Sequence, residues 1–275
     1  MSVSVIVPAF NCEKTIEKAL NSVLEQTRYD LVEEIIIVND GSLDHTDEVI
    51  RTYIECHQKA PFIYLQQRNH GVSYTRNRAI REAKGEWIAL LDADDLWKPS
   101  KLEKQFEIIK SNHSIKFLGT YPNIKFIFTE KKGLYQLNAR ELCIRSMPLS
   151  SSVIFHRKTG IQLGLFNEEM KYGEDFNFFQ KFLLLDSYFV LGEDLLETDF
   201  GKKFYAQSGL SSHLYQMHLG RNRNTNELFQ MGLISKKYKY IMLSLNYLKF
   251  IRRVILQSLM KWKYKHELGD KNEYL

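Results

Sequence analysis

The sequence predicts an α/β fold: a mostly parallel, Rossmann-like sheet flanked by helices, followed by an amphipathic helical tail. Three observations predict it. Apolar β-branched runs alternate with helical patterns over roughly the first hundred residues, which implies parallel strands joined by right-handed crossovers. Three of those runs end in unusual polar segments, Pro8–Asn11, Asn39–Asp44 and Asp92–Asp95. In such sheets ligands bind beyond the carboxyl ends of the strands. Finally, the basic excess is local: residues 226–275 carry ten Lys/Arg against four Asp/Glu, which leaves the rest of the chain within one charge of neutrality.

The elements follow in order. Ser2–Val7 is a β-branched run ended by Pro8, suited to a buried strand. Ile16, Ala19, Leu20, Val23 and Leu24 share one helical face. Glu34–Val38 is a second strand, and Val49, Ile50, Tyr53 and Ile54 mark a second helix. Phe62–Leu65 is a third strand. Ser73 is placed to cap a helix running to Ala83, with Gly85 to end it. Trp87–Leu91 is a fourth strand, and Pro99 suits the first turn of the helix after it. Beyond Ser114 the pattern is less regular. Ser150–Phe155 reads as a strand, and Asp175–Leu185 as a helix with Phe178, Phe179, Phe182 and Leu183 inward.

Composition excludes several classes. With 275 residues, 44% hydrophobic and 26% charged, the chain is neither disordered nor fibrous. Cys12, Cys56 and Cys143 form no disulfide framework or zinc pattern, which favours a reducing cytoplasm. The first residues lack the features of a signal peptide, so secretion is not expected. Basic residues confined to one end argue against nucleic-acid binding. No G-x-G-x-x-G or P-loop pattern occurs, and Leu96 and Trp97 stand where an EF-hand needs an oxygen ligand and a glycine.

Each candidate residue is weighed against a plainer role. Asp92, Asp94 and Asp95 repel one another unless a cation or hydrogen bonds compensate, and Mg²⁺ or Mn²⁺ is held by one or two carboxylates plus substrate phosphates. Their plainer role is to cap the next turn. Asp40 in Asp-Gly-Ser forms an ordinary turn or accepts a hydrogen bond from a base N–H. Glu174-Asp175 complements a helix dipole or supplies a general base. Arg76 and Arg78 are solvated unless a nucleotide offers phosphates.

Val-Pro-Ala-Phe-Asn (7–11), Val-Asn-Asp-Gly-Ser-x-Asp (38–44), Gly-x-Ser-x-x-Arg-Asn (71–77), Leu-Asp-Ala-Asp-Asp (91–95) and Gly-Glu-Asp (173–175) together resemble the family 2 glycosyltransferases of the GT-A fold, from about Val3 to Ser211. The resemblance implies a catalytic domain over residues 1–215, with a nucleotide-binding half at 1–112 and an acceptor-binding half at 113–215. It implies that Pro8, Ala9, Phe10 and Asn11 flank the base and Asp40 contacts uracil. Asp92 and Ala93 would lie at the ribose, Asp94 on Mn²⁺ or Mg²⁺, and Arg76 at the phosphates. Asp175 would be the base, with Glu174 next in line. The implied activity is inverting transfer of a hexose, galactose or glucose, from a UDP-sugar to a lipid-linked or glycan acceptor. A bacterial surface polysaccharide of O-antigen type would be the product.

The chain departs from relatives at Gln207, where many carry a loop His, and it lacks the Q-x-x-R-W element of processive synthases. A sugar nucleotidyltransferase would share the sheet and the acids, but it wants a Gly-rich basic loop where Pro8-Ala9-Phe10-Asn11 stands. A non-catalytic sugar- or nucleotide-binding module predicts that Asp94 and Asp175 are dispensable.

Residues 216–275 read as a basic amphipathic tail. Asn246, Lys249, Arg253, Gln257 and Lys261 form one polar stripe, while Ile241, Leu245, Leu248, Ile255 and Leu259 lie together elsewhere, with Trp262 widening the apolar surface. Its longest uncharged stretch, Tyr240–Leu248, is far short of the ~20 residues of a spanning helix. Such a helix suits the surface of an anionic membrane, at the cytoplasmic face of an inner membrane. Its alternative is packing on the catalytic domain with the basic side in water.

Overall fold

The computed structural model describes residues 1–121, 133–144, 148–197 and 213–272, with side chains of the last helix as far as 259. Gln207 therefore lies outside the described residues, as do the side chains of Lys261 and Trp262. The chain divides into two compact units, Met1–Lys202 and Lys203–Leu275.

The first unit opens with β1 (Val3–Ala9), α1 (Ile16–Leu24), β2 (Val32–Asp40), α2 (Thr46–Cys56), β3 (Phe62–Gln67), α3 (Val72–Glu82) and β4 (Trp87–Leu90). It continues with β5 (Leu96–Trp97), α4 (Lys101–Ser111), β6 (Phe117–Thr120), β7 (Leu134–Gln136) and α5 (Ala139–Ile144). β8 (Ile154–His156), α6 (Arg157–Gln162), α7 (Glu174–Phe179), β9 (Phe189–Leu191) and β10 (Leu196–Glu197) complete it. Among the described residues the main sheet has the order β3-β2-β1-β4-β8-β6-β9-β7, and β5 pairs with β10 apart from it. β3, β2, β1 and β4 run parallel, β8 runs against both β4 and β6, and β6 is again parallel to β9.

β1 is continuous and apolar because it is the inner strand of this parallel group, covered on both faces. It does not stop at Pro8. Ile6 O accepts the amide of Leu91 on the β4 side, so two residues on the missing N–H of Pro8 also falls there, where β4 has ended. Proline is harmless at that point.

Several boundaries differ from the sequence reading. Gly71, at φ 89°, caps α3, and Ser73 sits inside the first turn, its hydroxyl donating to Met170 O at 3.3 Å. The helix ends at Glu82 without Gly85. That glycine instead permits close approach, since a Cβ there would stand 2.5 Å from Ser4 N. Pro99 precedes the Ser100 cap of α4 and is not in its first turn. Ser150–Ser152 form a 3₁₀ turn before β8 because their hydroxyls bond locally and to the acidic loop. The expected helix from Asp175 is α7 followed by a 3₁₀ turn at Gln180–Leu185, with Phe178, Phe179, Phe182 and Leu183 buried as expected.

In the second unit α8 (Leu214–Gln230) and α9 (Lys236–Asn272) form an antiparallel hairpin, turned at Gly232 with φ 74°. Asn246 of α9 is buried and donates to Asn222 Oδ1 and Thr225 Oγ1 of α8, both at 3.2 Å. His218 stacks on Phe250 at 4.9 Å.

Candidate active site

Three loops at the carboxyl ends of β1, β2 and β4 build the site. The first two are clamped together. Asn11, held at φ 48°, donates its amide to Ser42 Oγ at 3.0 Å and accepts the amide of Leu43 at 2.8 Å. Cys12 N donates to Thr46 Oγ1 at 2.8 Å. Pro8 and Ala9 stay in the strand, whereas Phe10 is half exposed at its tip.

Asp40 is buried at the end of β2. Its Oδ1 accepts Gln67 Nε2 at 2.7 Å and the amide of His70 at 2.9 Å, and its Oδ2 accepts the amide of Gly71 at 2.9 Å. The carboxylate thus fastens the loop that starts α3, where negative charge suits the helix N-terminus. Gly41 is required beside it, because its φ is 72° and a Cβ would meet Asn69 N at 2.8 Å.

α3 carries the motif residues inward. Asn77 bonds reciprocally to Phe166, donating to its carbonyl at 2.9 Å and accepting its amide at 3.0 Å. It also donates to Glu168 at 2.8 Å. With Ser73 on Met170, these bonds fix the 166–170 segment that leads to Gly173, itself in the left-handed region at φ 72°. α7 therefore starts with its acids facing α3.

Arg76 corrects the expectation of a solvated cation. It is 3% exposed, donates to Asp92 Oδ1 at 2.7 Å and to Glu174 Oε1 at 3.4 Å, and lies 5.3 Å over the Phe166 ring. Its Nε has no partner among the described residues. Burial alone would lower the guanidinium pKa, but Asp92 and Glu174 outweigh it and raise it. The carboxyl of Glu174 is pushed up by burial and by the neighbouring Asp175, against the pull of Arg76. Asp175 is also raised by burial, partly offset by the amide of Phe176, which donates to its Oδ1 at 2.6 Å. One guanidinium holds the β4 loop and the acid pair of α7 in a single cluster.

Asp94 is exposed at the end of β4, while Asp92 and Asp95 are half-buried and Ala93 is buried. Ser151 links the last two acids, accepting the Asp92 amide at 3.0 Å and donating to Asp95 Oδ2 at 2.5 Å. Sequence reasoning missed Ser151, and it had Asn77 in the 71–77 motif without a role of its own. The signal for Ser151 was a run of three serines in an apolar setting, which must find partners once buried. No group of three His, Cys, Asp or Glu gathers to hold a metal among the described residues. The exposed carboxylate of Asp94, with Asp92 and Asp95 close by in the chain, fits a Mg²⁺ or Mn²⁺ ion that draws its other ligands from a diphosphate.

Comparison with known families decides the class. The profile of glycosyl transferase family 2 matches residues 4–167. The chain belongs to that family. It is 31% identical over 209 residues to an uncharacterized glycosyltransferase of Rickettsia typhi, covering 71% of this chain and 63% of the relative. It is 40% identical over 107 residues to the putative teichuronic acid biosynthesis glycosyltransferase TuaG of Bacillus subtilis, covering 39% of this chain and 41% of TuaG. Against an uncharacterized glycosyltransferase of Rickettsia conorii, 32% identical over 177 residues, it spans only 28% of that protein's length. Among solved structures, S. aureus TarS 1–349 in complex with UDP-GlcNAc superposes with a TM-score of 0.68 at 22% identity, covering 90% of this chain and 72% of TarS 1–349. The mannosyltransferase PcManGT of Pyrobaculum calidifontis, in complex with GDP-Man and Mn²⁺, gives 0.69 at 20% identity, covering 90% and 69%. The fold of this family 2 chain is accordingly GT-A, with a large, mostly parallel sheet flanked by helices and with helices at its C-terminus.

Proposed function

We propose that the chain is an inverting, metal-dependent, non-processive hexosyltransferase. It moves galactose or glucose from a UDP-sugar to a GlcNAc- or GalNAc-capped lipid diphosphate or a glycan, forming a β-glycoside of a bacterial surface polysaccharide of O-antigen type. The observation that carries this reading is the cluster in which Arg76 joins Asp92 to Glu174. It keeps a nucleotide-side acid and a base pair at one end of the sheet. TarS was solved with UDP-GlcNAc, PcManGT with GDP-Man and Mn²⁺, and TuaG is named for teichuronic acid biosynthesis, all of which support a nucleotide-sugar donor and a surface polymer.

In this reading the loops from Pro8 to Asn11 and at Asp40 frame the uracil, Asp92 and Ala93 meet the ribose, Arg76 serves the phosphates, and Asp94 holds Mn²⁺ or Mg²⁺. When bound, that ion offsets the charge developing on the departing UDP. Asp175 takes the proton of the acceptor hydroxyl. The acceptor oxygen bonds to the anomeric carbon as the bond from that carbon to the diphosphate oxygen breaks on the opposite face, which inverts the centre. Glu174 holds Arg76 beside that base. The acceptor sits at the cytoplasmic face of an inner membrane, with the chain in peripheral contact.

The test is UDP release with Mn²⁺ or Mg²⁺ across a panel of UDP-sugars, with and without a GlcNAc-diphosphate-lipid analogue. Acceptor-stimulated release from one donor supports the reading. UDP binding without release from any donor would turn it toward a binding module. Asp94→Ala is expected to lower metal-dependent release by about 10²–10³.

A further inference from the structure

α9 turns its two sides the opposite way from a helix solvated on its own. The polar stripe faces α8: Asn246 is buried and bonded there, and Lys249, Arg253 and Gln257 are half-buried. The other side is open and apolar. Ile241, Leu245, Leu248, Ile255 and Leu259 are 38–60% exposed, in a strip roughly 27 Å long. Tyr240 and Tyr247 flank it, each more than half exposed. An apolar strip of this length in water marks a contact surface.

Charge selects what covers it. From Leu228 to His266 there is no acid, while nine Lys/Arg stand in the same stretch. Lys237 and Arg252 are exposed on the side of the strip, and a second copy laid along it would bring these like charges together. A bilayer bearing anionic headgroups supplies an apolar phase and the counter-charge together. Exposed Arg252, on the apolar side, can bury its stem and keep its head among the headgroups. No helix among the described residues is long and apolar enough to cross a membrane.

We propose that the strip from Ile241 to Leu259 on α9 docks the chain on an anionic lipid surface. This deepens the membrane-held acceptor reading above, and its test is independent of sugar transfer. The full chain is sedimented with vesicles of phosphatidylcholine alone and of phosphatidylcholine mixed with phosphatidylglycerol. At low salt, partition onto the mixed vesicles is expected to be about tenfold stronger or more. A Leu248→Glu/Ile255→Glu variant is expected to lose about tenfold of that partition while binding UDP as before. No partition onto mixed vesicles, or equal partition by the variant, overturns the proposal. So does light scattering that shows a dimer of the native chain which the variant dissolves, since that assigns the strip to a second copy. Vesicle binding without sugar transfer to any acceptor would refute the transferase reading and keep the docking surface.

Discussion

The two units of this chain solve burial in opposite ways. In Met1–Lys202 the apolar residues fill the space between sheet and helices, and the polar ones collect where strands end. In the α8–α9 hairpin Asn246 meets Asn222 and Thr225 between the helices beside buried Leu228 and Met242, and one apolar strip of α9 faces outward. In the sheet unit burial drives folding and leaves chemistry at the rim. In the hairpin a few buried hydrogen bonds set the register, as buried polar residues do where specificity outweighs stability, and the apolar surface is left for an outside partner.

That contrast can be broken or sharpened. The largest effect is expected at the rim: Asp175→Asn should cut transfer about a thousandfold and leave UDP binding intact, read by release assay and calorimetry. Retained transfer would move the base to Glu174. Next comes Arg76→Ala. It strands buried Glu174 beside half-buried Asp92 without their shared cation, and urea unfolding of the sheet unit should show a loss of about 3 kcal/mol. An unchanged midpoint would mean that the acids relax by protonating.

The smallest effect concerns the sheet unit's own exception, a buried amine. Lys101 is fully buried, donates to Gln105 Oε1 at 2.9 Å and sits 4.0 Å over the Trp97 ring. Burial draws its pKa from 10.5 down to about 7. Between those values the folded chain binds fewer protons than the unfolded one, so this group makes stability rise with pH above about 7 and stay flat below it. Lys101→Met should remove that rise, worth no more than about 2 kcal/mol between about pH 7 and about pH 9. Unfolding midpoints at the two pH values check it, and an unaltered slope would mean that another group titrates.

The strands and helices before Asn112 were legible because apolar period and burial coincide there: Ile16, Ala19, Leu20 and Val23 are all buried as their spacing implies. The polar strand ends were legible for the same reason, since they interrupt such runs. Contacts between distant segments were not legible. Nothing local reveals that Arg76 lies across from Glu174, or that Asn77 grips Phe166, because these pairings are made 98 and 89 residues away. Ser150–Ser152 misled for a related reason. Their composition suits a strand, but Ser151 finds its hydroxyl partner in the distant Asp95, while Ser152 turns back on Leu149. In the tail the wheel separates polar from apolar sides without telling which one α8 covers.

The reversed direction of β8 has a consequence for recombining such chains. Because β8 runs against β4, its entry turn brings Ser151 to the acidic loop, so a residue of the second half completes the first. A chimera joined after α4 would import a foreign serine turn beneath its own aspartates. One that also carries Ser150–Ser152 over from the parent would preserve that support, provided that the 166–175 segment gripped by Asn77 and Arg76 comes with it.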